Sequence, residues 1–311
     1  MARVNGQTRD FTKLVNPFVG TIGSGNTFTG PVLPYGMVQL GPYLKYSEDQ
    51  QSGTIYGFSH THLSGMAGGG NGVPGDVIFM PLVQIDKLSS RFLHKNETAS
   101  PGYYRVILED SHIEAELTST TRVGFHRYTF PESKSGTIVL KLENGSMEVK
   151  SGEISGCNNS RVYFVARFSK PFTGFQFTDN DKIVIDTNVL KGEHINGFFK
   201  FDTHPDEPIL LKVGISMVSI DGARNNLETE IKGWNFNKVR DDAAKAWNKE
   251  LGKIEVEGGT KTEQILFYTA LYHSMIHPNI YMDVDRISYT GRFGSILPSI
   301  NARASPSANL F

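Results

Sequence analysis

Cysteine is all but missing. Cys157 is the only one in 311 residues, so an intrachain disulfide cannot form and a cysteine zinc cluster is excluded. Excess charge of either sign is missing too. The 31 basic and 32 acidic side chains leave a net charge of -1, which argues against holding nucleic acid or another polyanion by bulk charge. Long apolar runs are absent. The longest, around Val77 to Val83 and Ile209 to Ile220, are too short or too interrupted to cross a hydrocarbon core, so no membrane span is expected. At the amino end Arg3, Arg9, Asp10 and Lys13 break any apolar stretch, and no signal peptide is visible. No unit of about 20–50 residues recurs, which removes solenoids and propellers.

What is present reads as an ordinary globular chain, with 39% hydrophobic and 20% charged residues and length enough for one large domain or two small ones. Of 32 glycines, 14 fall between Gly20 and Gly75, marking that stretch as loop-rich. From Val77 to Ile220 short β-branched and aromatic runs alternate with turn residues, the pattern of an antiparallel sandwich or barrel. The clearest strands are Val77 to Met80, Tyr103 to Leu108, Thr137 to Leu142, Val162 to Phe168, Lys182 to Ile185 and Ile209 to Ser216. Asn144-Gly145 and Asp221-Gly222 read as turns. Beyond Gly222 the period becomes helical. Val239, Ala243, Ala246, Trp247, Leu251 and Ile254 form one stripe ending near Gly252, and Thr260-Lys261-Thr262-Glu263 fits a capping box opening a second helix that Pro278 stops near His277. Arg286 to Phe311 shows no sustained period, and disorder is expected from Ser295 onward.

The most unusual segment is Gly57-Phe58-Ser59-His60-Thr61-His62-Leu63-Ser64-Gly65. On an extended chain two imidazoles two residues apart project to one face. They could chelate a metal with help from Asp76, rest on loop backbone atoms, or grip a hydroxylated ligand. The glycine run Gly65 to Gly72 lacks the Gly-Lys-Ser/Thr ending of a phosphate loop, and Gly258-Gly259-Thr260-Lys261-Thr262 has threonine where that loop needs glycine. Thr61 stands where a nucleophile elbow requires glycine, so no serine hydrolase is supported. Carboxylates are scattered, and spacing selects no acid–base pair. Asn96-Glu97-Thr98, Asn144-Gly145-Ser146 and Asn158-Asn159-Ser160 fit the glycosylation sequon.

Four segments in order resemble the amino-terminal part of family 92 glycoside hydrolases, the calcium-dependent exo-acting α-mannosidases. They are Val15-Asn16-Pro17-Phe18-Val19-Gly20-Thr21; Asn26-Thr27-Phe28 with Val32-Leu33-Pro34-Tyr35-Gly36-Met37-Val38-Gln39-Leu40; Ile55 to Gly65 with Gly75-Asp76-Val77-Ile78-Phe79-Met80-Pro81; and Phe267-Tyr268-Thr269-Ala270-Leu271-Tyr272-His273-Ser274-Met275. The resemblance implies a mainly β fold, an antiparallel β-sandwich like the super-sandwich of aldose mutarotases, then a linker helix and the first helix of an (α/α)6 barrel. On that basis 12–232 is the sandwich, 233–260 a helical linker, 261–285 the first helix of a truncated catalytic domain, and 286–311 a divergent, disordered tail.

The resemblance also implies inverting hydrolysis assisted by calcium, with the catalytic carboxylates and calcium ligands in the barrel. No catalytic residue and no metal ligand is therefore expected in this chain, whose partners would be an α-mannoside or mannose-containing glycan and the missing catalytic domain. His60, His62, Asn71 and Asp76, with Phe28 and Tyr35, are the candidate sugar-binding residues. The loop between Gly41 and Tyr56 holds no tryptophan, where α-1,2-mannosidase members place an aromatic against the leaving sugar, and Thr29 replaces a common proline. Family members are typically exported to the periplasm or cell surface. The expected function is the front part of an exported α-mannosidase, inactive alone. The alternatives are a non-catalytic carbohydrate-binding or partner-docking module, and a sandwich completed by a separately encoded half. Ile265, Leu266, Tyr268, Leu271, Tyr272, Met275 and Ile276 would pack on barrel partners outside the chain, so aggregation is expected.

Overall fold

The computed structural model describes residues 9–22, 25–48, 51–62, 74–290 and 295–298. Fifteen strands form one continuous antiparallel sheet: β1 (Gly41–Tyr46), β2 (Ser52–Ser59), β3 (Ile78–Leu82), β4 (Ser90–Leu93), β5 (Glu97–Ser100), β6 (Tyr103–Leu108), β7 (Ile113–Ser119), β8 (Val123–Thr129), β9 (Ser133–Lys150), β10 (Glu153–Asn158), β11 (Val162–Phe168), β12 (Gly174–Asp179), β13 (Lys182–Val184), β14 (Val189–Thr203) and β15 (Ile209–Ser216). Three helices follow, α1 (Ile220–Glu230), α2 (Phe236–Leu251) and α3 (Lys261–Ser274).

The long strand β9 organises the sheet. Along one edge it pairs with β14, from Ser133 to Glu148. On its other edge Thr137–Lys141 pair with β3, and Ser146–Lys150 pair with β10. One branch of the sheet therefore runs β3–β2–β1, and the other runs β10–β11–β15–β8–β7–β6–β5. Asn144-Gly145 lies where the branches part. It is not the expected turn: Asn144 takes a left-handed φ of 44° inside β9, and the local kink lets one strand serve both branches. Between them lies the main core, with Phe58, Phe79, Tyr104, Tyr128, Leu140 and Phe164 fully buried. On β11, Val162, Phe164, Ala166 and Phe168 point into that core as alternation requires.

Asp221-Gly222 is likewise no turn but the first turn of α1, capped by the Ser219 hydroxyl, which accepts from Gly222 N–H. This helix covers the outer face of β11 and β15, burying Val165 against Ala223 and Leu227. Gly214 is needed there, since a Cβ would stand 2.4 Å from the Ala223 carbonyl. Capping of α3 is as the sequence predicts, with Thr260 and Glu263 exchanging hydrogen bonds, though the helix ends at Ser274, three residues before His277.

The second helical face does not wait for an outside partner. Tyr268, Tyr272, Met275 and Ile276 are buried against Phe11, Leu14, Phe28, Val32 and Trp247 of the same chain, and Ile265 and Leu271 are half-buried there. Trp247 donates its indole N–H to the Val32 carbonyl (2.6 Å) and packs 4.5 Å from the Tyr272 ring. Of the seven apolar residues expected to lack partners, Leu266 alone is exposed, at 56%. Two short strands are described in the stretch from Arg286 onward. Ile287–Thr290 (β16) pairs antiparallel with Ser295–Pro298 (β17). Residues 299–311 lie outside the described residues.

Candidate functional site

A cleft of about 250 Å3 opens where the loops at one end of the sheet meet the segment following α3. Met37 and Gln39 line it from the stretch before β1, Thr61 and His62 from the end of β2, and Pro74, Gly75 and Asp76 from the approach to β3. Arg161 and Val162 come from the β10–β11 turn, and Asn279 and Tyr281 from beyond α3.

The two histidines do not share a face. The chain bends at His60, so the alternation of an extended strand no longer holds. His60 turns inward and is fully buried, donating from Nδ1 to the Val77 carbonyl (2.7 Å). Its neutral Nε2 then accepts from His126 Nε2 at 3.1 Å, while His126 Nδ1 accepts from the Tyr128 hydroxyl (2.7 Å). His62 turns toward the cleft. It donates from Nδ1 to the Gln39 carbonyl (2.9 Å), accepts at Nε2 from the Ser59 hydroxyl (3.1 Å), and stacks on Phe28 with ring centroids 5.0 Å apart. Burial pushes both His60 and His62 down to about 4, so both imidazoles are neutral near pH 7.

Asp76 is buried and engaged on both oxygens. Oδ1 accepts from Asn158 (2.6 Å) and Asn159 (3.3 Å), and Oδ2 accepts from Thr61 (2.8 Å) and Arg161 (3.1 Å). A carboxylate so saturated braces the loop that carries it. Gln39 is buried in the cleft wall, donating weakly from Nε2 to the Ile276 carbonyl (3.4 Å), while its enclosed Oε1 has no partner among the described residues.

Of the expected sugar-binding residues, His62 and Asp76 line the cleft. Phe28 stands behind His62 as a stacking support, and His60 lies deeper in the sheet. Tyr35 is not among the lining residues; its backbone instead bonds to Met275 and Ile280. Asn71 lies outside the described residues. Gln39, Arg161, Asn279 and Tyr281 went unrecognised. Gln39 did carry a signal, being a polar residue inside the apolar run Val38-Gln39-Leu40, and Arg161 closes a turn whose Asn158-Asn159-Ser160 read only as a sequon. Asn158 is buried, with its amide nitrogen committed to Asp76, so a glycan there is incompatible with this fold.

Calcium prefers six to eight oxygen ligands, usually with several carboxylates. No group of three or more His, Cys, Asp or Glu among the described residues could hold an ion, and Asp76, the one acidic residue lining the cleft, has no free oxygen. The described residues do not fit a calcium site.

Fold and cleft define the class: a β-sandwich running into helices, with hydrogen-bonding groups gathered at the junction. The description "Glycosyl hydrolase family 92 N-terminal domain" matches residues 14–216, and "Glycosyl hydrolase family 92 catalytic domain" matches residues 222–301. The chain belongs to glycosyl hydrolase family 92. The catalytic-domain match continues past Arg286, where the resemblance was expected to end. Among solved structures, a family 92 α-mannosidase from Bacteroides thetaiotaomicron is 34% identical with a TM-score of 0.84, covering 94% of this chain and 44% of that one. It has also been solved in complex with mannoimidazole. The family 92 glycosyl hydrolase ccman5 is 28% identical with a TM-score of 0.82, covering 93% and 44%. An uncharacterized secreted glycosidase of Arthroderma benhamiae is 27% identical over 88% of this chain and 42% of its own length. The chain thus spans less than half the length of these relatives. Among the described residues no helix is long and apolar enough to cross a membrane.

Proposed function

We propose that this chain forms the sandwich side of the sugar pocket of an exported, exo-acting α-mannosidase and that it binds mannosides without hydrolysing them by itself. The observation that carries the proposal is the position of the cleft. Its walls come from both sides of the seam between the two family matches, with Gln39, His62 and Asp76 from one stretch and Asn279 and Tyr281 from the other. Domain seams are where such sites are commonly built. The Asn279 amide, the phenol of the exposed Tyr281 and the guanidinium of the exposed Arg161 side chain, all lining the cleft, offer the mixture of donors and acceptors that sugar hydroxyls need.

Inverting hydrolysis requires two carboxyl groups about 6.5–9.5 Å apart, and among the described residues this cleft offers one, Asp76, already saturated. Proton transfer and any calcium would belong to a helical domain outside the described residues, and export accords with the secreted relative. The test is calorimetry with mannoimidazole, paired with an assay of an aryl α-mannoside in calcium. Heat without turnover is expected. Absence of heat would overturn the binding role, and turnover would overturn the assignment of chemistry to another domain.

A second reading, a partner-docking module, is favoured by one feature: Leu266 and Phe267 on α3 are exposed at 56% and 36%. Mixing with a separately produced helical domain and measuring co-elution distinguishes this reading from sugar binding alone.

A further inference from the structure

The far wall of the cleft hangs on a carboxylate outside it. Asp283 is 1% exposed, yet no arginine or lysine pairs with it among the described ion pairs; its Oδ2 accepts from the Ser216 hydroxyl (2.6 Å) and its Oδ1 from the Asn226 amide (2.7 Å). A carboxylate buried among neutral donors is costly unless its hydrogen bonds are complete. Here they are completed from β15 and α1. Asn226 also accepts from Val284 N–H (2.9 Å) and donates to the Ile215 carbonyl (2.9 Å), tying the segment to both elements. Gly222 makes room for this contact, since a Cβ would sit 2.3 Å from Asp283 Oδ2. One residue earlier, Arg122 donates to the Met282 carbonyl (2.6 Å) while paired with Glu230 at 2.7 Å.

The geometry points to Asp283 as a positioning residue that locks the segment bearing Asn279 and Tyr281 against α1 and β15, and so fixes the far wall of the cleft. Between α3 and Asp283, among the described residues, the segment is hydrogen-bonded to Tyr35, Gly36 and Gln39 on one side and to Arg122, through the Met282 carbonyl, on the other. Tyr281 is 52% exposed, so its position depends on these anchors on either side of it, and the Asp283 clasp is the buried one that reaches β15 and α1. The consequence for ligand affinity rests on the sugar-pocket reading above, while the clasp itself does not.

The test is amide hydrogen exchange on Asp283→Ala, Asp283→Asn and Ser216→Ala, alongside mannoimidazole calorimetry. In Asp283→Ala the amides from Ile280 to Val284 should exchange at least about tenfold faster while β11 and β15 keep their protection, and affinity should fall at least about tenfold. Asp283→Asn, which keeps one acceptor oxygen, and Ser216→Ala, which removes the Asp283 bond together with the hydroxyl's contacts to Val218 and Ser219 N–H, should each accelerate exchange at 280–284 less than Asp283→Ala, and they carry the test if Asp283→Ala does not fold. Unchanged exchange at 280–284, or equal acceleration across the whole sheet, would overturn the clasp. Faster exchange with unchanged affinity would overturn its role in the cleft. If the parent chain gives no heat with mannoimidazole, the sugar reading fails and the exchange data still decide the clasp.

Discussion

With His60 Nε2 and His126 Nε2 3.1 Å apart, one proton fits between the two rings, and a second would place two facing N–H groups in a buried site. Because burial holds His60 and His62 at about 4 and lowers His126 as well, the unfolded chain binds more protons than the folded one below about pH 6.5. Stability from these groups is complete above that value and is lost as pH falls toward 4. Urea unfolding from pH 7.5 to 4.5 should show a falling free energy, on the order of 3 kcal/mol for each of His60 and His62 at the full shift. A flat profile would contradict the buried neutral assignment. At Asp76 the saturated carboxylate predicts a loss of about 2–4 kcal/mol in Asp76→Ala, because Thr61 and Asn158 lose a charged acceptor. Arg161→Ala should cost under about 1 kcal/mol, since the side chain is 70% exposed and its ion pair is screened. Chemical denaturation separates the two. His60 and His62 were legible as an unusual pair, but not that they part company, because that depends on where β2 ends.

At the scale of elements, three strands were legible to the residue: Tyr103–Leu108, Val162–Phe168 and Ile209–Ser216. Each alternates or runs apolar between clear turn signals, so local sequence suffices. Helix α1 was not legible. Its buried side chains, Ala223, Asn226 and Leu227, include one polar residue and make a sparse stripe, so Asp221-Gly222 read as a turn. The helix is held by the sheet beneath it, which local propensity does not register. Around Trp247 the prediction is large. Trp247→Ala should cost about 3–5 kcal/mol by opening a cavity between α2, α3 and the amino-terminal segment, measured by guanidinium denaturation, with the loss of the Val32 hydrogen bond included.

For the whole molecule, α3 decides how the chain behaves in solution. One face is buried in the chain's own second core, and the other exposes Leu266 and Phe267. Replacing Leu266 with serine should leave the unfolding free energy within about 0.5 kcal/mol, because the side chain is largely in water already. The same change should lower self-association in light scattering if that face meets other molecules. Unaltered scattering would show that the exposed face is too small to associate.

Composition, strand alternation, the capping box and the four motif segments were enough to determine an antiparallel β fold passing into helices and its family, because those features are written in near neighbours and in fixed words. Only the tertiary structure decided that Asn144 kinks a shared strand, that His60 and His62 face different surroundings, and that Asn279 and Tyr281 join Gln39 across one cleft. Each of these joins residues distant in the chain, and such pairings are set by which surfaces pack together, which no local period records.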